Sequence, residues 1–513
     1  MKIPRFPALR RLAAGLFVLL ALVPPGAATW SIVIVNTDTG EACVATATCL
    51  TNFDIQTAVP VIVVGKGAGA AQALVNSSAS NKIKIFNGLQ NDLTPAAILS
   101  NIIATDGAIQ VRQFGIVNFT GVPRTFTGTA VGIGKKGLVG IAGPLRYAAQ
   151  GNVLTGPEVI DAIEVALLNT PGDLGQKVMA AMEAARALGG DGRCSCSIVF
   201  PTSCGVPPPS FTKSAHVGTV IISRIGDTDG TCGPGVGCVT GDYYLDLNVI
   251  GGSNDPDPVF TLQTQYDAWR ASLAGHPDGV LSTVEVGAEA LVADGQTQTT
   301  VTIQLKDVED APITSGGAAV TVTPQGPGAP SSTVSAVTDN ANGTYSFTLT
   351  AGTQAGSDTF AILVDDGQVK PATLFPLLEL DVDPLQPLHA GTDTLSVTGG
   401  GAVPFVINAG AAAGNQPYIL LGTASGTAPG LVLGGGVLPL NPDPFTDFTL
   451  IVPGPPLLPG SVGVTDGNGR AEAQLVAPPG AFLPGVGLHL DWAAVVLTAP
   501  ETITNAVGLD LVL

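Results

Sequence analysis

Thr29-Trp30-Ser31-Ile32-Val33-Ile34-Val35 is the stretch whose reading decides the fold of the first half of this 513-residue chain. In a strand, Ile32 and Ile34 fall on one face and Val33 and Val35 on the other. Both faces are apolar, so the strand is expected inside a covered sheet and not at its edge. Upstream, residues 1–28 have the form of a secretory leader: Lys2, Arg5, Arg10 and Arg11, an apolar run from Leu12 to Val23, then Pro24-Pro25-Gly26-Ala27-Ala28. Small residues at Gly26 and Ala28 suit cleavage before Thr29. A threonine at a free N-terminus carries a nucleophile and a base together, because its α-amine (pKa about 8) can take the hydroxyl proton.

Composition narrows the function classes. Aromatics make up 5% of the chain and charged residues 12%, with 66 Gly and 40 Pro, a mix that suits short strands and many turns. The formal net charge is −19; four of the 21 Lys and Arg lie in the leader, so 17 against 40 acids leave −23 after cleavage. An acidic chain without a basic cluster repels phosphate backbones, which argues against nucleic acid as a partner. The apolar run of the leader is short for a membrane span, so no span is expected in the mature chain. The expected location is secreted or cell-surface.

The cysteines are Cys43, Cys49, Cys194, Cys196, Cys204, Cys232 and Cys238. An exported chain favours disulfides over a metal site, for which the Cys194-x-Cys196 gap is too short. Cys232 and Cys238 flank a Gly-Pro-Gly-Val-Gly loop and are the easiest pair. Cys43 with Cys49, and Cys204 with Cys194 or Cys196, are further expectations. Seven is odd, so one thiol is left over.

From Thr29 to about Gly275, strands alternate with helices. Strands are expected at 30–35, 42–48, 58–64, 111–118, 124–128, 195–200 and 216–223. Helices are expected from Pro95 to Ala104, Gly156 to Leu168, Gly172 to Leu188 and Asp257 to Ala274. That order predicts an α+β layered domain. Residues 283–382 hold Val/Thr alternation broken by Asp-Gly and Asn-Gly turns, a seven-strand sandwich pattern. Pro384 and Pro387 mark a linker, and 389–513 read as a second small all-β unit. Neither β unit concentrates titratable groups.

The opening Thr29-Trp30-Ser31-Ile32-Val33 with Thr39-Gly40-Glu41 resembles the start of the DUF1028 family. Further blocks carry the likeness: Gly67-Ala68-Gly69-Ala70 with Gln72 and Asn76, Arg112-Gln113-Phe114-Gly115-Ile116-Val117, Phe126-Thr127-Gly128, Gln150-Gly151-Asn152 through Val159, and Gly189-Gly190-Asp191-Gly192-Arg193. The resemblance covers about 29–275. It implies the four-layer αββα fold of N-terminal-nucleophile (Ntn) hydrolases and no particular substrate. One departure stands out: Cys194-Ser195-Cys196-Ser197 stands where the family often carries Gly and Gln, consistent with a loop fastened by disulfides. Residues 283–366 resemble the immunoglobulin-like repeat of bacterial invasin and intimin adhesins.

An Ntn site needs a terminal hydroxyl, its free amine, oxyanion donors and groups that tune the amine. Thr29 is the expected nucleophile, Asn152 an oxyanion donor, and Arg112 and Asp191 charges near the amine or the substrate. Gln72, Asn76 and Arg193 are candidate substrate-binding residues; Gly151-Asn152 could equally make a turn, and the charges a structural ion pair. Ser31 lacks a free amine, and His216, His276, His389 and His489 offer no triad. Gly65-x-Gly67-x-Gly69 lacks the helix of a nucleotide loop. Asp227-Thr228-Asp229-Gly230 and Asp255-Pro256-Asp257 read better as turns than as Ca²⁺ sites. No cofactor or metal is called for. The expected activity is cleavage of an amide or related acyl bond in a small molecule or peptide. The rival reading is a non-catalytic binding module displayed on spacers, with cell-surface or matrix contacts through the β units.

Overall fold

The computed structural model describes residues 29–288, 290–293, 295–326, 332–354, 356–383, 386–434 and 436–513. The leader, Asp294 and Pro384 lie outside the described residues.

Ten strands and six helices build the first module: β1 (Thr29–Asn36), β2 (Glu41–Thr48), β3 (Pro60–Val63), β4 (Gly67–Ala73), α1 (Ser80–Gln90), α2 (Pro95–Thr105), β5 (Arg112–Asn118), β6 (Arg124–Thr127), β7 (Lys136–Ala142), β8 (Leu145–Asn152), α3 (Glu158–Asn169), α4 (Leu174–Ala187), α5 (Gly192–Ser195), β9 (Val217–Ser223), β10 (Leu245–Ile250) and α6 (Pro258–Ala271). They form two antiparallel sheets, ordered β10-β9-β2-β1-β8-β7 and β3-β4-β5-β6. β1 is an interior strand, as its two apolar faces require.

Strand alternation sorts side chains into three layers of core. Trp30, Ile32 and Ile34 pack with Val159, Ile163, Met179, Met182 and Leu262 of α3, α4 and α6. Val33 and Val35 meet Ile62, Ala68, Ala70 and Val117 between the two sheets. Phe114 and Ile116 face Ile85, Leu89, Ile98 and Ile102 of α1 and α2. The result is helix, sheet, sheet, helix. Local signals set the helix ends. Thr94 accepts from the Ala97 amide with Pro95 in the first turn, and Asp173 and Gln176 make a capping box. Gly189 and Gly190, both at positive φ, end α4. A Cβ on Gly190 would meet the Trp30 ring at 2.7 Å, so a glycine here lets the chain pass over β1.

One expected strand is not formed, and one helix was not expected. Ser195–Phe200 is not a strand: it holds the end of the single-turn α5 and then a loop closed by a Cys196–Cys204 disulfide. The helix at Ser80–Gln90 has no counterpart in the sequence reading; its N-cap, Ala79, offers no capping side chain.

Residues 283–383 form a sandwich of two sheets around Val301, Ile303, Tyr345, Phe347, Phe360, Ile362 and Leu380. The last unit packs its strands around Phe405, Leu420, Trp492 and Leu509 and adds one two-turn helix, Pro444–Ile451. The first sandwich is docked on the first module. Arg224 bridges Glu41 and Asp278 at 2.8 Å each, Lys370 pairs with Asp227 at 2.7 Å, Arg270 with Glu309 at 2.9 Å, and His276 with Asp366 at 2.5 Å.

Candidate active site

Thr29 begins β1 and is 2% exposed. Its ladder partners are Thr48 on β2 and Asn152 on β8. Counting back from Val33 and Val35, Thr29 and Ser31 belong to the face between the sheets. The same count places Thr46, Thr48, Gln150 and Asn152 on that face, all buried. From the second sheet, Gln72 and Gln113 reach down to them. Gln72 Nε2 donates to the Thr29 carbonyl at 2.9 Å and to Gln113 Oε1 at 2.9 Å. Gln113 Nε2 donates onward to the Gly151 carbonyl at 3.0 Å. Ser31 Oγ lies 2.9 Å from Thr46 Oγ1 and within bonding reach of Gln72 Oε1, so its single proton serves one of them at a time. One end of the inter-sheet layer is therefore polar, while the rest is mainly apolar.

Asn152 is fully buried and its Nδ2 donates to the Val131 carbonyl at 3.2 Å. Val153, which follows, has φ +53 and turns the chain sharply out of β8. Gln150 is also fully buried, and neither its amide nitrogen nor its oxygen has a hydrogen-bond partner among the described residues. It lies against Gly115, where an added Cβ would stand 2.1 Å from Gln150 Oε1. A buried unsatisfied amide is rare in folded proteins and concentrates attention on its surroundings.

Asp191 and Arg193 lie where the end of β2 meets the residues that follow β8. Asp191 caps α5 and is fully buried; its carboxylate accepts from Arg193 Nη2 at 2.8 Å and from the Cys49 amide at 2.8 Å. Arg193 Nη2 is 3.3 Å from Thr48 Oγ1, the cross-strand neighbour of Thr29. The pair thus neutralises itself one residue beyond that neighbour. Cys194, next along, is bonded to Cys49, which pins α5 to the end of β2.

Two candidates do not join this group. Arg112 was expected near the Thr29 amine or the substrate, or else in a structural ion pair; it shares strand parity with Phe114 and Ile116, so it belongs to the helix-facing side of the second sheet and takes the ion-pair alternative. There its Nε donates to Asp106 at 3.1 Å and its Nη1 to the Leu74 carbonyl. Its neighbour Gln113 takes the inward position instead. Asn76 closes the turn into α1, donating to Ser80 Oγ at 2.9 Å and accepting from the Ser78 amide at 2.9 Å. Gln113 and Gln150 stand within the quoted sequence blocks but were not assigned to the site; alternation would have placed both on the inward parity, Gln113 with Val117 and Gln150 with Asn152.

The cysteines pair as Cys49–Cys194, Cys196–Cys204 and Cys232–Cys238. The expected Cys43–Cys49 bond is absent. Cys43 points into the helix-side core, opposite in parity to the inter-sheet face, and is the free thiol. Burial pushes its pKa well up, and Glu41 adds to this. The sulfurs of Cys49 and Cys194 and a ring nitrogen of His216 lie within 4.8 Å of one another, but the two sulfurs are spent on each other. A cavity of about 230 Å³ lies away from Thr29 at the junction with the sandwich, lined by Tyr244, Trp269, Leu273 and Pro371 among others. Its cations Arg224 and Lys370 already have acidic partners. Among the described residues, no helix is long and apolar enough to cross a membrane.

Comparison with known proteins follows the same division. Residues 29–202 match the model of a family of unknown function, DUF1028, and residues 278–374 match invasin domain 3. Among solved structures, protein SPO2555 of the DUF1028 family from Silicibacter pomeroyi aligns at 16% identity over 47% of this chain and 88% of that one, with a TM-score of 0.34. The Escherichia coli adhesin FdeC aligns at 12% identity over 94% of this chain and 96% of that one, with a TM-score of 0.21. The Yersinia pseudotuberculosis adhesin InvE aligns at 20% identity over 45% of this chain and 58% of that one, with a TM-score of 0.17. No curated protein matches the sequence.

Proposed function

We propose that the first module is an Ntn-type hydrolase of amide or related acyl bonds, exported and trimmed so that Thr29 becomes the N-terminus, and carried on the β units. The single observation behind this reading is the position of Thr29: first residue of an interior strand, on the inter-sheet face, laddered to Asn152 and held through its carbonyl by Gln72. A hydroxyl there has polar neighbours on both sheets and, once the leader is gone, its own amine as base.

The chemistry needs only these parts. Thr29 Oγ attacks the acyl carbon while its proton passes to the α-amine. The oxyanion is met by Asn152 Nδ2. The amine returns the proton to the leaving nitrogen, the C–N bond breaks, and an ester to Thr29 remains. Water, deprotonated by the same amine, then hydrolyses the ester and frees the threonine. The self-neutralising Asp191–Arg193 pair fits a site whose base must stay unprotonated near pH 7, because a lone carboxylate would raise the amine pKa.

A second reading rests on a different observation, the match of 278–374 to invasin domain 3. On that reading the first module is a ligand module displayed outward at a cell surface on immunoglobulin-like spacers. One experiment separates the two. The chain is expressed with its leader, and the exported protein is sequenced from its N-terminus and assayed on acyl amides beside Thr29→Ala and Thr29→Ser. A start at Thr29, loss of turnover in Thr29→Ala and partial turnover in Thr29→Ser support hydrolysis. A different start, or equal turnover in Thr29→Ala, leaves the binding module.

A further inference from the structure

The cavity of about 230 Å³ between the first module and the sandwich is a concave site apart from Thr29. The two units pack tightly around it. A Cβ on Gly226 would stand 2.0 Å from Thr373 Oγ1, and one on Gly279 would stand 2.3 Å from the Thr373 carbonyl oxygen. Folded interiors keep few voids larger than a water molecule, so a space of this size within so close a junction is a feature to explain. Its walls are mainly apolar: Trp269, Leu273 and Pro277 on one side, Val308, Val369 and Pro371 on the other. Water gains little from such walls. Clefts between domains with apolar walls and a few polar groups are where small molecules bind.

The charged groups on the walls are already matched. Arg224 pairs with Glu41 and Asp278 at 2.8 Å each, and Lys370 with Asp227 at 2.7 Å and Asp242 at 3.2 Å. Neither cation is left for an anionic guest. The carboxylates are spent as well. Asp278 accepts from Arg224 Nη1, the Tyr244 hydroxyl and the Val280 and Leu281 amides. Asp227 accepts from the Arg224 and Tyr244 amides and from Lys370. His276 is tied through Nδ1 to Asp366 at 2.5 Å. A charged guest would therefore be buried without a partner, at a high cost. Two polar groups on the wall make no side-chain hydrogen bond among the described residues: Arg224 Nη2, a donor, and the Thr373 hydroxyl, a donor and acceptor.

We propose that this junction cavity binds one neutral hexose. A pyranose ring has an apolar C–H face, which suits Trp269, Leu273 and Pro371. Its rim oxygens suit Arg224 Nη2 and Thr373 Oγ1. The cavity is smaller than the about 300–1,000 Å³ of pockets for larger ligands, which limits the guest to a single ring. The site goes beyond the hydrolase reading and stands whether or not Thr29 reacts.

The test is calorimetry of the full exported chain at pH 6 with D-glucose, D-galactose and D-mannose, the uronate and the 2-amino sugar of each, and cyclohexanol. At least one neutral hexose should bind saturably, at least tenfold tighter than its own uronate, its own amino sugar and cyclohexanol. No binding by any of the three hexoses overturns the proposal. A uronate or amino sugar that binds as well as its parent overturns the neutral assignment, and cyclohexanol equal to the best hexose overturns the role of the ring oxygens. Tryptophan emission reports the place. Trp30 and Trp492 are 0% exposed and Trp269 is half-buried, so bound hexose should shield the emission from acrylamide. Unchanged quenching puts the sugar elsewhere and overturns the site. Val369→Phe and Trp269→Leu, from opposite walls, should each abolish the hexose isotherm; a folded variant that keeps it overturns the assignment. Should both variants fail to fold, the acrylamide measurement on the wild type still decides.

Discussion

Thr29 and Asn152 are cross-strand partners at the end of the β1–β8 ladder, with both side chains on the face between the two sheets. Opposed residues on one face of an antiparallel pair stand about 4.5–5.5 Å apart at Cβ. An amide there can serve an oxyanion formed at Thr29 without any motion of the backbone. Asn152→Ala should therefore lower kcat by about 10²–10³ with little change in KM, the usual loss for one oxyanion donor. Steady-state kinetics of the trimmed protein measure it; an unchanged kcat assigns Asn152 to the turn alone.

Gly115 and Gln150 are matched in volume across the sheets. Gly115→Ala should cost about 1–3 kcal/mol by overpacking. Adding Gln150→Ala should recover most of that loss, a coupling that denaturant unfolding of both variants would detect.

Thiol counting checks the cystine framework. The native protein should take up no alkylating reagent, and the denatured, unreduced protein should take up one equivalent, at Cys43. Cys49 and Cys194 are 145 residues apart, so removing their bond should destabilise the chain by about 2–5 kcal/mol. Removing Cys196–Cys204, 8 residues apart, should cost less.

The last unit should weaken in acid. Burial raises the pKa of Asp443, but hydrogen bonds from the Thr446 and Ala424 amides and from Ser425 and Thr423 outweigh it and hold the pKa at about 2. A depressed carboxyl contributes fully above its unfolded pKa of about 3.9 and loses that contribution as pH falls through about 2. Asp443→Ala should cost about 1–2 kcal/mol at pH 6. Thermal scans should show the difference from wild type shrinking steadily between pH 4 and pH 2.

A chain ending at Gly279 should still fold, because the first module has its own three-layer core. It should also melt lower than the same module in the whole chain, since Arg270 loses Glu309, Lys370 no longer reaches Asp227, and Phe375 no longer covers Gly40. Insolubility of that fragment would show that the junction is part of the core.

The layered fold was legible because β1 and β2 are apolar on both faces and because caps such as Thr94-Pro95 and Asp173-x-x-Gln176 mark helix starts. The candidate site was legible in part. Thr29, Asn152, Gln72 and the Asp191–Arg193 pair could be named from their blocks, but assigning Arg112 to Thr29 ignored that adjacent strand residues face opposite ways. Counting from Val117 in the inter-sheet core turns Gln113 inward and Arg112 outward. Cys49–Cys194 was illegible for another reason: it joins segments brought together by tertiary packing, which spacing along the chain does not encode. The helix at Ser80–Gln90 was hidden because Ala79 supplies no cap and the helix carries polar residues on much of its surface.

The most direct measurement of the central claim is mass spectrometry of the exported protein after brief exposure to an acyl-transferring β-lactone. The account predicts a chain that begins at Thr29 and a single acyl adduct on that residue, lost in Thr29→Ala and slowly released by water. A chain that begins elsewhere, or an adduct that persists unchanged in Thr29→Ala, would contradict it.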